Sequence, residues 1–235
     1  MGFRFKQFEI QHDRSTFKTG TDAVLLGAWT AVPPHCKRIL DIGSGCGIIA
    51  LMFAQRSNAL ITGVDMDKQS VEESVENADN SLWKDRVEFV NSSIQDFCTV
   101  ERKHTFDLVV SNPPFFVNSL KSPEYKRNIG RHTDTLSFEG LISAVDYCLS
   151  SFGLFSVIIP VASKDTIQQL CKNRGLFCEK ILQIQPTETK SANRVMMLFS
   201  REEKELLIEN LIIRNQSMHY TQPYKLLTKD FYLDF

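Results

Sequence analysis

The sequence predicts an α/β domain built on a doubly wound, mostly parallel sheet, preceded by an N-terminal segment that lies against it as a lid or brace. Three observations carry this expectation. From Arg38 onward, short β-branched runs alternate with longer amphipathic ones. The first of those runs leads into a glycine-rich turn that opens a helix. The fourth is nearly all apolar, as suits the buried centre of a parallel sheet, and ends on Asn-Pro-Pro-Phe. At 235 residues the chain suits one large domain, with residues 1–37 as the N-terminal segment and 38–235 as the sheet and its helices.

Taken in order, Arg-Ile-Leu-Asp-Ile at 38–42 reads as the first strand, followed by a helix through Ile-Ile-Ala-Leu-Met-Phe-Ala-Gln-Arg that ends near Ser57. Residues 60–65 form the second strand. In 68–80, Val71, Val75 and Ala78 recur at helical spacing between acidic residues, which predicts an amphipathic helix. Strands follow at 87–91 and 106–111. The stretch 117–133 is irregular, contains Lys and Arg, and is longer than most connections in compact domains. A helix is expected over 135–151, a strand over 155–160, a helix over 164–174, and a closing pair of strands around 177–185 and 194–200. Residues 210–215 add an edge strand. In the N-terminal segment, Thr21 or Asp22 is placed to cap a helix running to Trp29.

Composition excludes more than it assigns. A formal net charge of −1 and a pI near 6.5 rule out a globally basic nucleic-acid-binding surface, so any such contact must come from a local patch. The N-terminus lacks a signal-peptide core and no stretch reaches the length of a membrane-spanning helix, so the expectation is a cytoplasmic protein. The six cysteines show no CxxC pair and no His at ligand spacing, which argues for reduced core thiols and no metal site. A monomer is the working expectation.

The first chemical motif is Leu40-Asp41-Ile42-Gly43-Ser44-Gly45-Cys46-Gly47. Its glycines permit a tight turn and close approach of a ligand to the backbone, with helix N–H groups pointing into the same space. The G-x-G-x-G spacing, preceded by Asp, departs from the G-x-G-x-x-G of dinucleotide enzymes. Asp65 closes the second strand, where a carboxylate can accept both hydroxyl hydrogens of a ribose. Asp67 suits a helix cap better. Asp96, after the third strand, stands where folds of this kind contact an adenine ring through an acid.

The second motif, Ser111-Asn112-Pro113-Pro114-Phe115, lies at the carboxyl end of the fourth strand, where open α/β sheets place ligand chemistry. An amine on an aromatic ring is a poor nucleophile because its lone pair is delocalised. The Asn112 side-chain oxygen and a backbone carbonyl held by rigid prolines can accept both N–H hydrogens and turn the lone pair toward an electrophilic methyl. Phe115 offers a face for stacking a base. The chemistry indicated is methyl transfer to a planar exocyclic or amide nitrogen.

Residues 41–47, Asp65 and residues 112–115 resemble the corresponding motifs of class I, N6-adenine-type methyltransferases. Phe5-Lys6-Gln7-Phe8, residues 18–29, Arg131-His132 and residues 230–233 resemble the bacterial tRNA(Val) adenine-37 N6-methyltransferases, so the likeness spans nearly the whole chain. It implies a seven-stranded, Rossmann-like class I sheet, S-adenosylmethionine as donor, and a tRNA anticodon stem-loop as partner. Under it Asp41, Gly43, Gly45, Gly47, Asp65 and Asp96 serve the cofactor, and Asn112, Pro113, Pro114 and Phe115 the target base. The aromatic here is Phe where many relatives carry Tyr. The same motif occurs in enzymes acting on guanine N2, DNA adenine and protein glutamine; guanine N2 of rRNA, a protein glutamine amide, and a catalytically silent RNA-binding module stay open as alternatives. The extra N-terminal helical domain expected of glutamine methyltransferases is missing from this sequence. Lys121, Lys126, Arg127, Arg131 and His132 follow the motif with a single Glu124 among them, a grouping suited to phosphate contacts with RNA.

Overall fold

The computed structural model describes residues 2–15, 20–114 and 136–235. The stretch predicted to be irregular, with Phe115, Lys121, Lys126, Arg127, Arg131 and His132, therefore lies outside the described residues, as do Lys18 and Thr19. A short antiparallel hairpin, β1 (Phe3–Arg4) and β2 (Glu9–Ile10), is followed by α1 (Thr21–Trp29). The alternating region then runs β3 (Arg38–Ile42), α2 (Ile48–Arg56), β4 (Leu60–Asp65), α3 (Lys68–Asp79), β5 (Val87–Asn91), α4 (Ile94–Phe97) and β6 (Phe106–Ser111). Beyond it come α5 (Phe138–Cys148), β7 (Leu149–Pro160), α6 (Lys164–Lys172), β8 (Phe177–Thr187), β9 (Arg194–Ser200), β10 (Leu207–Arg214) and α7 (Gln222–Thr228).

The main sheet has the order β10-β8-β9-β7-β6-β3-β4-β5 and is parallel except for β9, which runs against both its neighbours. The expected seven strands are β3 to β9. An eighth, β10, adds to them in parallel along β8 and begins at Leu207, three residues before the predicted edge strand. Glu209 and Asn210 interrupt its apolar run, which hid its first half. The chain leaves β3 toward β4 on one side and returns as β6 on the other, so the sheet reverses direction between β3 and β6. That junction is where open α/β sheets bind ligands.

Side chains alternate across the sheet with a period of two. Ile39, Leu108 and Ile158 enter one apolar cluster with Leu25, Leu51 and Phe53 of α1 and α2. Leu40, Val109 and Val157 enter the other with Leu141 and Val145 of α5. Both ends of the chain cover the first face, through Phe5, Phe8 and Ile10 and through Tyr224 and Phe231. Lys6 fastens them together, its ammonium donating to the carbonyls of Lys229 at 2.6 Å and Phe235 at 2.7 Å.

Three local expectations are corrected. Val75 on α3 is 39% exposed, and the buried face carries Glu73, Ser74 and Asn77 beside the expected Val71 and Ala78. Glu73 and Asn77 are buried where they hold the N-terminal segment: the Glu73 carboxylate accepts N–H groups of Arg14 at 3.0 Å and Ser15 at 2.9 Å, and the Asn77 side-chain oxygen accepts the Gln11 N–H at 2.8 Å. Helix α1 is capped by Gly20 without a side-chain bond, while Asp22 pairs with the Arg194 guanidinium at 2.8 Å. Strand β7 starts at Leu149, inside the predicted helix, because an irregularity between Phe106 and Leu108 of β6 lets residues 150–153 bulge before Leu154 resumes the pairing.

Candidate active site

The glycine turn joins β3 to α2 with Gly43, Gly45 and Gly47 at φ of 74°, 52° and 83°, a region where a Cβ is strained. At Gly43 and Gly45 an added Cβ would meet nothing within 4 Å, so the backbone there faces open space. At Gly47 the Phe89 ring lies 2.6 Å from such a Cβ, so this position also excludes bulk. The turn is fastened to β4: Gly43 and Ser44 N–H groups donate to the Val64 carbonyl at 2.8 and 3.2 Å, and Gly45 N–H donates to Asp65 Oδ2 at 2.8 Å.

Asp65 Oδ1 accepts the Asp67 N–H at 2.9 Å. The Gly45 and Asp67 N–H groups thus each hold one carboxylate oxygen, which fixes the plane of the Asp65 carboxylate at the mouth of the turn. Burial raises the Asp65 pKa, while the Asp67 and Gly45 N–H groups oppose the rise. Asn91 at the end of β5 donates to the carbonyls of Asp65 at 3.1 Å and Met66 at 3.0 Å, holding the backbone beyond the carboxylate. Asp67 caps α3 by accepting from Ser70 N–H and hydroxyl, in agreement with its sequence reading.

Asp41 lies one residue before the end of β3, with no exposed surface, and neither carboxyl oxygen completes a hydrogen bond among the described residues. Burial, with the Asp65 charge adding, pushes its pKa up to about 7 against the pull of the Ala50 N–H in the first turn of α2. An ionised carboxylate in such a place is costly unless a cation answers it. Asp96 is exposed and engaged in a reciprocal cap with Ser93, whose hydroxyl donates to Asp96 Oδ2 at 2.7 Å and accepts the Asp96 N–H at 3.1 Å.

Asn112 emerges from β6 beside this turn. Ser111 pairs with Ile42 across the β3–β6 ladder, and its buried hydroxyl donates to the Ile42 carbonyl at 2.8 Å. The residue before Asn112 is thus bound to the residue before Gly43. Pro113 is buried, Asn112 and Pro114 are half-buried, and among the described residues nothing hydrogen-bonds the Asn112 side chain. The sequence places Ser111 at the head of the motif but does not show its role, the bond to the Ile42 carbonyl. Sequence reasoning missed Asn77, whose amide donates to the Cys46 carbonyl at 2.9 Å and so ties α3 to the turn. A separate cavity between α4 and α5 contains neither Asn112 nor the turn.

Residues 15–145 match the family model described as methyltransferase small domain. A Phocaeicola vulgatus protein named tRNA1(Val) (adenine(37)-N6)-methyltransferase is 42% identical over 232 residues, which cover 99% of this chain and 97% of that one. This chain belongs to the tRNA1(Val) (adenine(37)-N6)-methyltransferase family. A Trichodesmium erythraeum protein of the same name is also 42% identical, over 236 residues and 99% and 98% of the two chains. Among solved structures, a predicted O-methyltransferase from Agrobacterium tumefaciens superposes with a TM-score of 0.70 at 23% identity, over 89% of this chain and 96% of that one, a likeness of fold.

The residues present fit the cofactor of such a methyltransferase. S-adenosylmethionine carries a ribose diol, an ammonium and a sulfonium. The Asp65 carboxylate, held by backbone N–H groups, is an acceptor suited to the diol, the backbone at Gly43 and Gly45 stands clear of neighbours, and the buried Asp41 carboxyl just before the turn has acceptor oxygens that complete no bond among the described residues. Among the described residues no group of three His, Cys, Asp or Glu side chains could hold a metal ion. No helix of the described residues is long and apolar enough to cross a membrane.

Proposed function

We propose that this chain transfers a methyl group from S-adenosylmethionine to N6 of adenine 37 in the anticodon loop of tRNA1(Val). The observation that carries the reading is the Ser111–Ile42 bond, which holds the Asn-Pro-Pro turn beside the glycine turn at the reversal point of the sheet. The names of the full-length relatives support the substrate.

When bound, S-adenosylmethionine supplies an electrophilic methyl on a sulfonium. The chain's own residues prepare the nucleophile. Asn112 Oδ1 and the Pro113 carbonyl accept the two N–H hydrogens of the exocyclic amine, which draws its lone pair out of conjugation as the transition state forms. The prolines limit the movement of that carbonyl. Methylation makes the amine strongly acidic, so its proton is shed to an acceptor or water without a charged base. Phe115 stacks on the base, which must first leave the loop's own stack. Lys121, Lys126, Arg127, Arg131 and His132 are the phosphate contacts of this reading.

The test is methylation of tRNA1(Val) transcripts in vitro, followed by nucleoside analysis. The reading expects one N6-methyladenosine per tRNA and none on a transcript carrying guanosine at position 37. Methylation of guanine N2, or of a protein glutamine in place of RNA, would move the chain to the alternative substrates of this motif.

A further inference from the structure

The cavity of about 570 Å³ between α4 and α5 leads to a pair of thiols that the methyl-transfer chemistry does not use. Cys98 is the C-cap of α4 and Cys148 is the last residue of α5, and their sulfurs lie 3.7 Å apart. Cys98 is half-buried and lines the cavity with Lys103, His104 and Arg174, whereas Cys148 is fully buried behind it. From this geometry we propose that Cys98 and Cys148 form a reversible oxidation site, Cys98 reacting with a hydroperoxide and Cys148 resolving the product as an intramolecular disulfide.

The division of labour follows from position. Of the two, only Cys98 reaches solvent, so it meets the oxidant first. The hydrogen bond from the Cys148 thiol favours the Cys98 thiolate, the reactive form, and holds its pKa below the usual thiol value. Other described thiols are pushed the opposite way by burial, Cys36 and Cys178 up to about 12 and Cys171 upward as well. They remain thiols at neutral pH.

In the first step the Cys98 thiolate attacks a peroxide oxygen, the O–O bond breaks, and an alcohol or water leaves with an added proton. Cys98 becomes a sulfenic acid. In the second step the Cys148 sulfur attacks the Cys98 sulfur, an S–S bond forms, and the hydroxyl leaves as water with the Cys148 proton. Two thiols and one hydroperoxide thus yield one disulfide, one alcohol and one water. The sulfurs must close from 3.7 Å to about 2.0 Å. The Cys98 side can supply this movement, because α4 is a single turn that ends at Phe97, one residue before it. The closed bond joins residues 50 apart in sequence and encloses Asn112, Pro113 and Pro114.

The test treats the full-length protein with hydrogen peroxide and maps its peptides by mass spectrometry without reduction. The expected product is one disulfide joining the Cys98 and Cys148 peptides, with loss of two hydrogen atoms and full reversal by dithiothreitol. Cys148→Ser should accumulate Cys98 sulfenic acid, trapped by dimedone at several times the parental yield, and Cys98→Ser should leave Cys148 unmodified. Oxidation of Cys98 to sulfinic acid in the parent with no cross-link would overturn the proposal. So would equal dimedone labelling of the parent and Cys148→Ser. If a serine variant does not fold, the cross-link in the parent protein decides alone.

Discussion

Asp41→Asn should make the cofactor-free protein more stable at pH 8 while weakening its hold on the cofactor. The side chain is fully buried and no hydrogen bond to its oxygens is completed, and its pKa rises from 3.8 to about 7. A folded-state pKa raised in an acid means that the folded protein binds the proton more tightly than the unfolded chain. Asp41 therefore weighs little against folding below about pH 4, and its cost grows as pH rises through the interval between the two pKa values, reaching its full size above about pH 7. That interval, about 3 on the pH scale, corresponds to about 4 kcal/mol at full size. Asparagine removes the charge but still buries an amide, so the observed gain should be smaller, about 2–3 kcal/mol. Urea unfolding of parent and variant at pH 5 and pH 8, without cofactor, measures the difference and cancels every other titrating group common to both. The variant's advantage should be larger at pH 8 than at pH 5, and calorimetry with S-adenosylhomocysteine should show weaker binding. An advantage independent of pH would mean that Asp41 is not the buried, charge-burdened carboxyl described above.

Asp65→Ala should fold yet bind S-adenosylmethionine about tenfold or more weakly, since hydrogen bonds to a charged group contribute about 1.5–3 kcal/mol each. Unchanged affinity by calorimetry would remove Asp65 from the cofactor site. Ser111→Ala deletes the bond to the Ile42 carbonyl and leaves that acceptor buried, so the unfolding free energy should fall by about 1–2 kcal/mol. No measurable loss in urea would show that the bond does not hold the two turns together. Neutralising Lys126, Arg127 and Arg131 together should weaken tRNA binding and flatten its salt dependence while sparing cofactor affinity. A salt slope equal to the parent's would return these residues to ordinary surface charge.

Periodicity made most of the sheet legible. Strands at 38–42, 60–65, 87–91, 106–111 and 194–200 lie where their apolar runs predict, because each buried strand is marked by β-branched residues between turn signals. The elements that escaped are those whose burial serves polar work. On α3 the apolar stripe finds Val71 and Ala78 on the buried face but misplaces Val75 and misses Glu73 and Asn77, which are buried by bonds to residues far away in sequence, Gln11, Arg14 and Ser15 among them. The start of β10 is masked by Glu209 and Asn210, and the start of β7 by a bulge that has no periodicity. At the candidate site the sequence supplies the glycine turn, Asp65 and Asn112 through motif spacing. What it cannot supply is pairing across the sheet. That Ser111 meets Ile42, and that Asp41 lies without a completed bond, depend on the β3–β6 register and on the placement of α2. Asp96 was read from its place after the third strand, while the Ser-x-x-Asp spacing from Ser93 already marks a helix start, and the structure shows that cap.

Single-turnover methyl transfer to saturating tRNA1(Val) by Asn112→Ala bears most closely on the proposed chemistry. The side-chain oxygen acts on the transition state, so cofactor affinity and most of the tRNA affinity should be retained. Losing one preorganised hydrogen-bond partner typically costs about 10²–10³ in rate, and that loss belongs in kcat. Asn112→Asp keeps an acceptor and should be the mildest replacement. Asn112→Ala is expected to fold, to bind both ligands, and to transfer methyl about a hundredfold or more slowly than the parent. Transfer at the parental rate would contradict the activation of the adenine amine by Asn112, and with it the assignment of the Asn-Pro-Pro-Phe turn as the place where that activation occurs.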